Sequence, residues 1–117
     1  ISTEENGLKL TGTKSPVSDG QSADYIIVAA NSDSNKDPSS LSLYIIDKSQ
    51  EGVEMSELET IDPTRPACTV NLKAANCEML GEKGNGWNMI ENIFNRAAVL
   101  FSFEQVGGAQ VSLDEAK

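Results

Sequence analysis

The chain has 117 residues, with 18 acidic and 9 basic side chains, a net charge of −9 and no histidine. The negative charge argues against nucleic acid and anionic membranes as partners, because both are bound through basic patches. Without histidine, these residues cannot assemble a Ser-His-Asp triad, a Cys-His pair or a histidine metal site. The length suits one domain of the soluble globular class, and no apolar run approaches the roughly 18 residues of a membrane span.

The first half of the chain predicts strands separated by polar turns. Residues 7–13 alternate apolar and polar side chains, which is typical of a half-buried strand. Residues 14–20 contain a proline and an Asp-Gly pair and are predicted to be irregular. The apolar runs at 25–30 and 41–47 predict strands buried on both faces, and the polar residues 31–40 between them predict a loop.

The second group of strands follows after a short turn. Residues 53–58 and 68–72 alternate apolar and polar side chains and are predicted to be strands, whereas the prolines within 61–66 exclude regular structure there. Residues 75–80 predict a short last strand or turn. Short strands with turn signals between them favour an antiparallel β-sandwich or barrel.

A glycine-rich stretch separates these strands from a different pattern. Three glycines fall within residues 81–86, and from 87 to 117 apolar residues recur at three- and four-residue spacing without a proline. Asn85 is the predicted N-cap of a long helix. We therefore expect a mainly β fold followed by one long C-terminal helix, with a β domain at 1–80 and a glycine hinge plus helix at 81–117.

The predicted helix has more apolar surface than a β domain of this size covers. The Gly107-Gly108 pair lowers helix propensity but allows close approach of another helix backbone. The sequence thus predicts a homo-oligomer that forms through this helix. Because the helical pattern ends without a stop signal, we also expect the chain to be a piece of a longer protein.

An ordered series of short segments, rather than any single motif, resembles the acyl-CoA dehydrogenase family. The resemblance covers nearly the whole chain and places it as the middle β domain plus the first helix of the C-terminal domain. The segments that carry it are Leu-Thr-Gly-Thr-Lys at 10–14, Val-Ser-Asp-Gly at 17–20, Ala-Asp-Tyr at 23–25, Leu-Tyr-Ile-Ile-Asp at 43–47, Gly-Val at 52–53, Leu-Gly-Glu-Lys-Gly-Asn-Gly-Trp at 80–87, Arg-Ala-Ala at 96–98 and Gln-Val-Gly-Gly-Ala-Gln at 105–110.

The resemblance implies an FAD-dependent enzyme that oxidises acyl-CoA thioesters at Cα–Cβ in fatty-acid or sterol side-chain degradation. It implies that the cofactor-binding residues of this chain are Pro16, Val17 and Ser18. Ser18 stands at a hydroxyl position that contacts the flavin, and Pro16 stands where the family has an aromatic residue. The catalytic carboxylate of some members corresponds to Ala97 or Ala98, so the resemblance implies no catalytic residue in this chain, which is expected to be inactive alone and to hold FAD weakly.

Further expectations follow from the same resemblance. The electron acceptor would be an electron-transfer flavoprotein or a similar protein, and the compartment would be the bacterial cytoplasm. Independently of the resemblance, two cysteines are few for a disulfide scaffold, so Cys68 and Cys77 are predicted to be buried thiols rather than a disulfide. Two alternatives stay open: a flavoprotein subunit without activity that supports a catalytic partner, and a non-enzymatic β-sandwich binding module.

Overall fold

A computed structural model describes residues 2–4, 7–31, 37–62 and 64–117. It divides into a β unit that ends at Gly86 and a helical unit, Trp87–Lys117. Residues 32–36 of the predicted loop and residue 63 of the predicted irregular segment lie outside the described residues. The elements are β1 (Ser2–Glu4), β2 (Gly7–Ser18), β3 (Tyr25–Asn31), a 3-10 turn (Pro38–Ser40), β4 (Leu41–Asp47), β5 (Val53–Leu58), β6 (Ala67–Leu80) and α1 (Gly86–Glu115).

The β unit is a curled antiparallel half-barrel sheet with β6 at its centre. The strand order is β1-β2-β6-β4-β3, and β5 also pairs with β6. The first half of β6 lies between β2 and β5, and its second half pairs with β2 and β4. These antiparallel pairings confirm the predicted mainly β fold with a long C-terminal helix.

Two strands are longer than their sequence patterns predict. The strand predicted at 7–13 continues to Ser18, and the segments predicted at 68–72 and 75–80 are one strand of 14 residues. Both continue through β-bulges, where one strand carries an extra residue. A proline is tolerated at such a position because no ladder hydrogen bond is required of its nitrogen. The prediction that residues 14–20 are wholly irregular is therefore wrong.

The core lies on the concave side of the curled sheet. It combines side chains from five of the strands, and β6 contributes its alternate residues, as its sequence pattern predicts. The buried members are Leu10, Ile26, Val28, Tyr44, Ile46, Cys68, Val70, Leu72 and Ala75.

One strand is less buried than predicted. Tyr25 and Ile27 on β3 are 62% and 60% exposed, whereas Ile26 and Val28 are buried. Side chains along β3 alternate between the two faces of the sheet, and only the face of Ile26 and Val28 meets the core. The prediction that residues 25–30 are buried on both faces is therefore wrong for this chain.

The glycine-rich link is packed against the start of β4. The Gly84 N–H donates a hydrogen bond of 2.8 Å to the hydroxyl oxygen of Ser42, which is fully buried. A Cβ at Gly86 would lie 2.8 Å from the Leu41 carbonyl oxygen, and one at Gly84 would lie 2.6 Å from the Ser39 carbonyl oxygen. Glycine is required at these two positions because backbone atoms occupy the space of a side chain.

The long helix begins directly after Asn85, as predicted, and runs without interruption through Gly107-Gly108. Its apolar side chains include Phe94, Leu100 and Phe103, which are 65%, 70% and 73% exposed in this chain. Within the described part of the chain, no helix combines the length and apolar character needed to cross a bilayer.

Candidate functional site

The three residues predicted to bind a cofactor lie together at the end of β2. Val17 pairs with Cys68 and is half-buried against the core, whereas Ser18 pairs with Ala67 and is exposed. Pro16 is exposed as well. The chain therefore presents Pro16 and Ser18 to the surface and uses Val17 to anchor the segment to the core.

A β-bulge decides which side of the sheet Ser18 faces. Lys14 pairs with Val70 and Val17 pairs with Cys68, so three steps along β2 correspond to two steps along β6. Side chains alternate between faces along a regular strand, and one extra residue exchanges the two faces. Without the bulge, Ser18 would share the face of Lys14 and Val70, which turns toward the core. With it, Ser18 lies on the opposite side, which we call the outer face.

The outer face near Ser18 is lined by small polar side chains. The Ser15 and Thr69 hydroxyl oxygens are 2.9 Å apart and share a hydrogen bond beside the bulge. Two residues further along each strand, away from Ser18, the Thr13 hydroxyl donates to the Asn71 side-chain oxygen at 2.8 Å. The Ser18 hydroxyl has no hydrogen-bond partner within the described residues. It is thus available to an external acceptor or donor.

The turn after Ser18 is fixed by backbone contacts. The Asp19 N–H donates to the Pro66 carbonyl oxygen at 2.9 Å, and the N–H groups of Ser22 and Ala23 donate to the Asp19 carbonyl oxygen. Gly20 is buried, and a Cβ placed on it would lie 2.6 Å from the Cys68 sulfur. The segment that carries Ser18 is therefore held at both ends.

The site offers hydrogen-bonding groups on a fixed backbone. The carboxyls whose pKa is lowered by hydrogen bonds to a neighbouring Ser or Thr are Asp37, Asp47 and Asp62, and none belongs to this segment. The described residues contain no group of three or more Cys, Asp or Glu side chains placed to hold a metal ion. The arrangement can bind and orient a ligand.

A large open groove of the β unit lies elsewhere. Its volume is about 790 Å³, and its lining includes Lys9, Tyr25, Asp47, Asn76 and Glu78 but none of the three predicted site residues. The groove is open and mixes both signs of charge, so no ligand chemistry is selected by its lining. We place the candidate site on the outer face because polar side chains lie there on the same two strands as the Ser18 hydroxyl, which has no partner within the described residues.

Comparison with known proteins identifies the fold. No family model matches the chain. The acyl-CoA dehydrogenase from Geobacillus kaustophilus is similar, with a TM-score of 0.66 and 23% identity over 72% of this chain. Glutaryl-coenzyme A dehydrogenase in its glutaryl-CoA complex matches 70% of the chain with a TM-score of 0.65 and 25% identity. The chain has an acyl-CoA dehydrogenase-like fold.

A third similar structure extends this result. The ChsE4-ChsE5 complex from Mycobacterium tuberculosis matches 74% of the chain with a TM-score of 0.65 and 22% identity. The chain spans less than a quarter of these three structures, namely 24%, 22% and 23% of their lengths. The fold of the β unit is consistent with that of the acyl-CoA dehydrogenase middle domain.

The acyl-CoA dehydrogenase-like fold implies a flavin, and the outer face can be tested for its fit to one. A flavin ring edge needs a hydrogen-bonding group that the protein has not already used, and the Ser18 hydroxyl meets this need. Pro16 contributes an exposed apolar ring but no aromatic surface. The residues present fit the polar edge of the cofactor, and the planar wall on which its ring would stack must come from elsewhere.

Sequence reasoning missed the residues that support this segment. Ser15 and Thr69 gave no signal beyond small size, and Gly20 gave only a turn signal, because their roles depend on a bulge and on a contact across 48 residues of chain between Gly20 and Cys68. Their clustering becomes visible only when the register of β2 against β6 is known.

Proposed function

We propose that this chain is part of an FAD-dependent acyl-CoA dehydrogenase that oxidises acyl-CoA thioesters at Cα–Cβ to 2-enoyl-CoA, in fatty-acid or sterol side-chain degradation in a bacterial cytoplasm. The observation that carries the proposal is the acyl-CoA dehydrogenase-like β unit, on whose outer face the Ser18 hydroxyl has no partner among the described residues. The chain supplies one wall of the flavin and acyl-CoA site.

Each residue of the segment has a separate task in this proposal. Ser18 forms a hydrogen bond with the edge of the flavin ring, Val17 anchors the strand in the core, and Pro16 limits the backbone freedom between the bulge and Ser18. FAD, when bound, would accept the hydride that leaves Cβ of the thioester. The base that removes the α proton lies outside this chain, because the matching positions on α1 are Ala97 and Ala98.

A comparison of three forms of the full-length flavoprotein tests this proposal. The purified protein should show visible flavin bands, and Ser18→Ala should shift those bands or slow reduction by acyl-CoA. Ser112→Ala is the matched control, since it makes the same change at a residue of α1 that belongs neither to the segment nor to its outer-face neighbours. No flavin in the purified protein, even after FAD is added, would exclude this function and favour a non-enzymatic binding module.

The same protein also distinguishes a catalytic enzyme from a supporting subunit. A catalytic enzyme is reduced by acyl-CoA and passes the electrons to an electron-transfer flavoprotein or a similar acceptor. A supporting subunit binds flavin but is not reduced until a catalytic partner is added. The isolated 117-residue chain should bind FAD weakly, because it carries only part of the contact surface while the entropic cost of fixing the ligand stays the same.

We further propose that α1 pairs with a second copy of this chain. Between residues 92 and 113 the helix has only two charged side chains, Arg96 and Glu104, which is unusual for a helix that faces water. Phe94, Phe101 and Gly108 recur at seven-residue intervals and so lie along one stripe, where a glycine permits close approach of a partner backbone. The two partners would use the same stripe around a two-fold axis.

Light scattering over a range of concentrations tests this pairing. Phe101→Ser should weaken the oligomer, whereas Phe103→Ser, on a different side of the helix and also exposed, should weaken it less. A wild-type chain that stays monomeric at every concentration, with its helix intact by circular dichroism, would contradict the pairing.

A further inference from the structure

Gly20 occupies a position where its missing side chain, rather than its backbone freedom, matters. Its φ angle lies outside the left-handed region that favours glycine, so its backbone conformation is open to any residue. The residue is nevertheless buried, and a Cβ would lie 2.6 Å from the Cys68 sulfur and 3.2 Å from a Val17 methyl carbon. Real Cβ atoms do not approach other atoms that closely, so a side chain here must displace its neighbours.

The neighbours of Gly20 are the residues that orient Ser18. Val17 and Cys68 are a cross-strand pair, and Ser18 is the next residue along β2. Cys68 is fully buried, so a displaced sulfur would press on the packed core around it. A Cβ at Gly20 would therefore push the turn and the end of β2 away from the core, and Ser18 would move with them.

We propose that Gly20 is a positioning residue for Ser18. By allowing the turn to pack directly on Cys68, it keeps Val17 against the core and thereby holds Ser18 on the outer face. The Ser15–Thr69 hydroxyl pair holds the same segment from the bulge side. This inference rests on the proposed function for its effect on a flavin, but the geometric claim concerns the chain itself.

The first experiment measures the position of Ser18 in the 117-residue chain by NMR. Gly20→Ala should shift the Ser18 amide resonance and weaken the cross-strand contact between Ser18 and Ala67. Gly20→Ala combined with Cys68→Ala should restore both, because the second substitution removes the sulfur that the new Cβ meets. Gly107→Ala is the control, since nothing lies within 4 Å of a Cβ there.

The second experiment uses the flavoprotein and measures the flavin spectrum and the rate of flavin reduction. Loss of one hydrogen bond corresponds to a rate reduced by about 3- to 10-fold, and we expect this for both Ser18→Ala and Gly20→Ala. Because Gly20 acts through Ser18, the variant that carries both substitutions should have its flavin reduced no more slowly than Ser18→Ala alone. The variant with Cys68→Ala added to Gly20→Ala should recover the wild-type rate and spectrum.

Several outcomes would overturn the inference. An unchanged Ser18 resonance in Gly20→Ala would show that Gly20 does not set its position, whether or not the protein binds flavin. If the variant that combines Ser18→Ala and Gly20→Ala is slowed by the product of the two single-variant factors, the two residues act independently. If Gly20→Ala does not fold, the variant that combines it with Cys68→Ala decides. A folded combined variant with a native Ser18 resonance supports the inference, and one that does not fold or has a shifted Ser18 resonance contradicts it. A protein without flavin removes the proposed function and leaves the NMR result to decide the geometric claim.

Discussion

The same substitution should have opposite effects at two glycines of this chain. Gly86→Ala would place a Cβ 2.8 Å from the Leu41 carbonyl oxygen and 3.0 Å from two carbonyl carbons, all of them backbone atoms that cannot rotate away. Overpacking of this kind costs about 1–3 kcal/mol. At Gly107 the space is open, so alanine should instead gain up to about 1 kcal/mol of helix propensity.

Thermal unfolding followed by circular dichroism measures both effects. For a unit of this size, each kcal/mol shifts Tm by roughly 4–8 °C, so Gly86→Ala should lower Tm of the strand signal clearly. Gly107→Ala should raise the helical signal or its Tm without changing the strand signal. Because alanine also has the higher helix propensity at Gly86, a stabilised Gly86→Ala protein would refute the argument that the link is tightly packed.

Three smaller predictions follow from single contacts. Ser42→Ala should destabilise the β unit by about 1–3 kcal/mol in urea unfolding, because it leaves a backbone N–H without its acceptor, and an unchanged midpoint would contradict this. The hydrogen bond from the Ser49 hydroxyl holds the pKa of Asp47 below its ordinary value of 3.8. The stabilising effect of this hydrogen bond is therefore complete above pH 3.8 and is lost as the pH falls through the lowered pKa of Asp47. Ser49→Ala should therefore raise the NMR titration midpoint of Asp47, and an unmoved midpoint would exclude this hydrogen bond as the cause. Burial raises the pKa of the Cys77 thiol, so a thiol reagent should modify Cys77 slowly. Cys68 is fully buried and should be modified only after unfolding. Rapid labelling of both cysteines in the native chain would be inconsistent with the core described above.

Much of the fold follows from local patterns in the sequence. The alternation of Cys68, Val70 and Leu72 identifies the inward side of β6, and the change to three- and four-residue spacing after Gly86 identifies the helix. These patterns are visible because burial of one face imposes its period on the sequence. The exposure of Tyr25 and Ile27 could not be predicted, because an apolar side chain does not show whether another layer covers the face of the sheet on which it lies.

The candidate site was predicted only in part. Pro16, Val17 and Ser18 follow from the family resemblance, but nothing in their sequence shows that a bulge turns Ser18 outward. Bulges depend on the register between β2 and β6, which are far apart in the chain. Gly20 belongs to an Asp-Gly turn pattern, and its contact with Cys68 depends on tertiary packing that no local pattern encodes.

Anaerobic addition of acyl-CoA to the purified full-length protein tests the central proposal most directly. We expect a protein with a visible flavin band that bleaches as the thioester is oxidised to the 2-enoyl product. A protein without a flavin band, or one whose flavin stays oxidised with every acyl-CoA and with every candidate partner subunit, would contradict it.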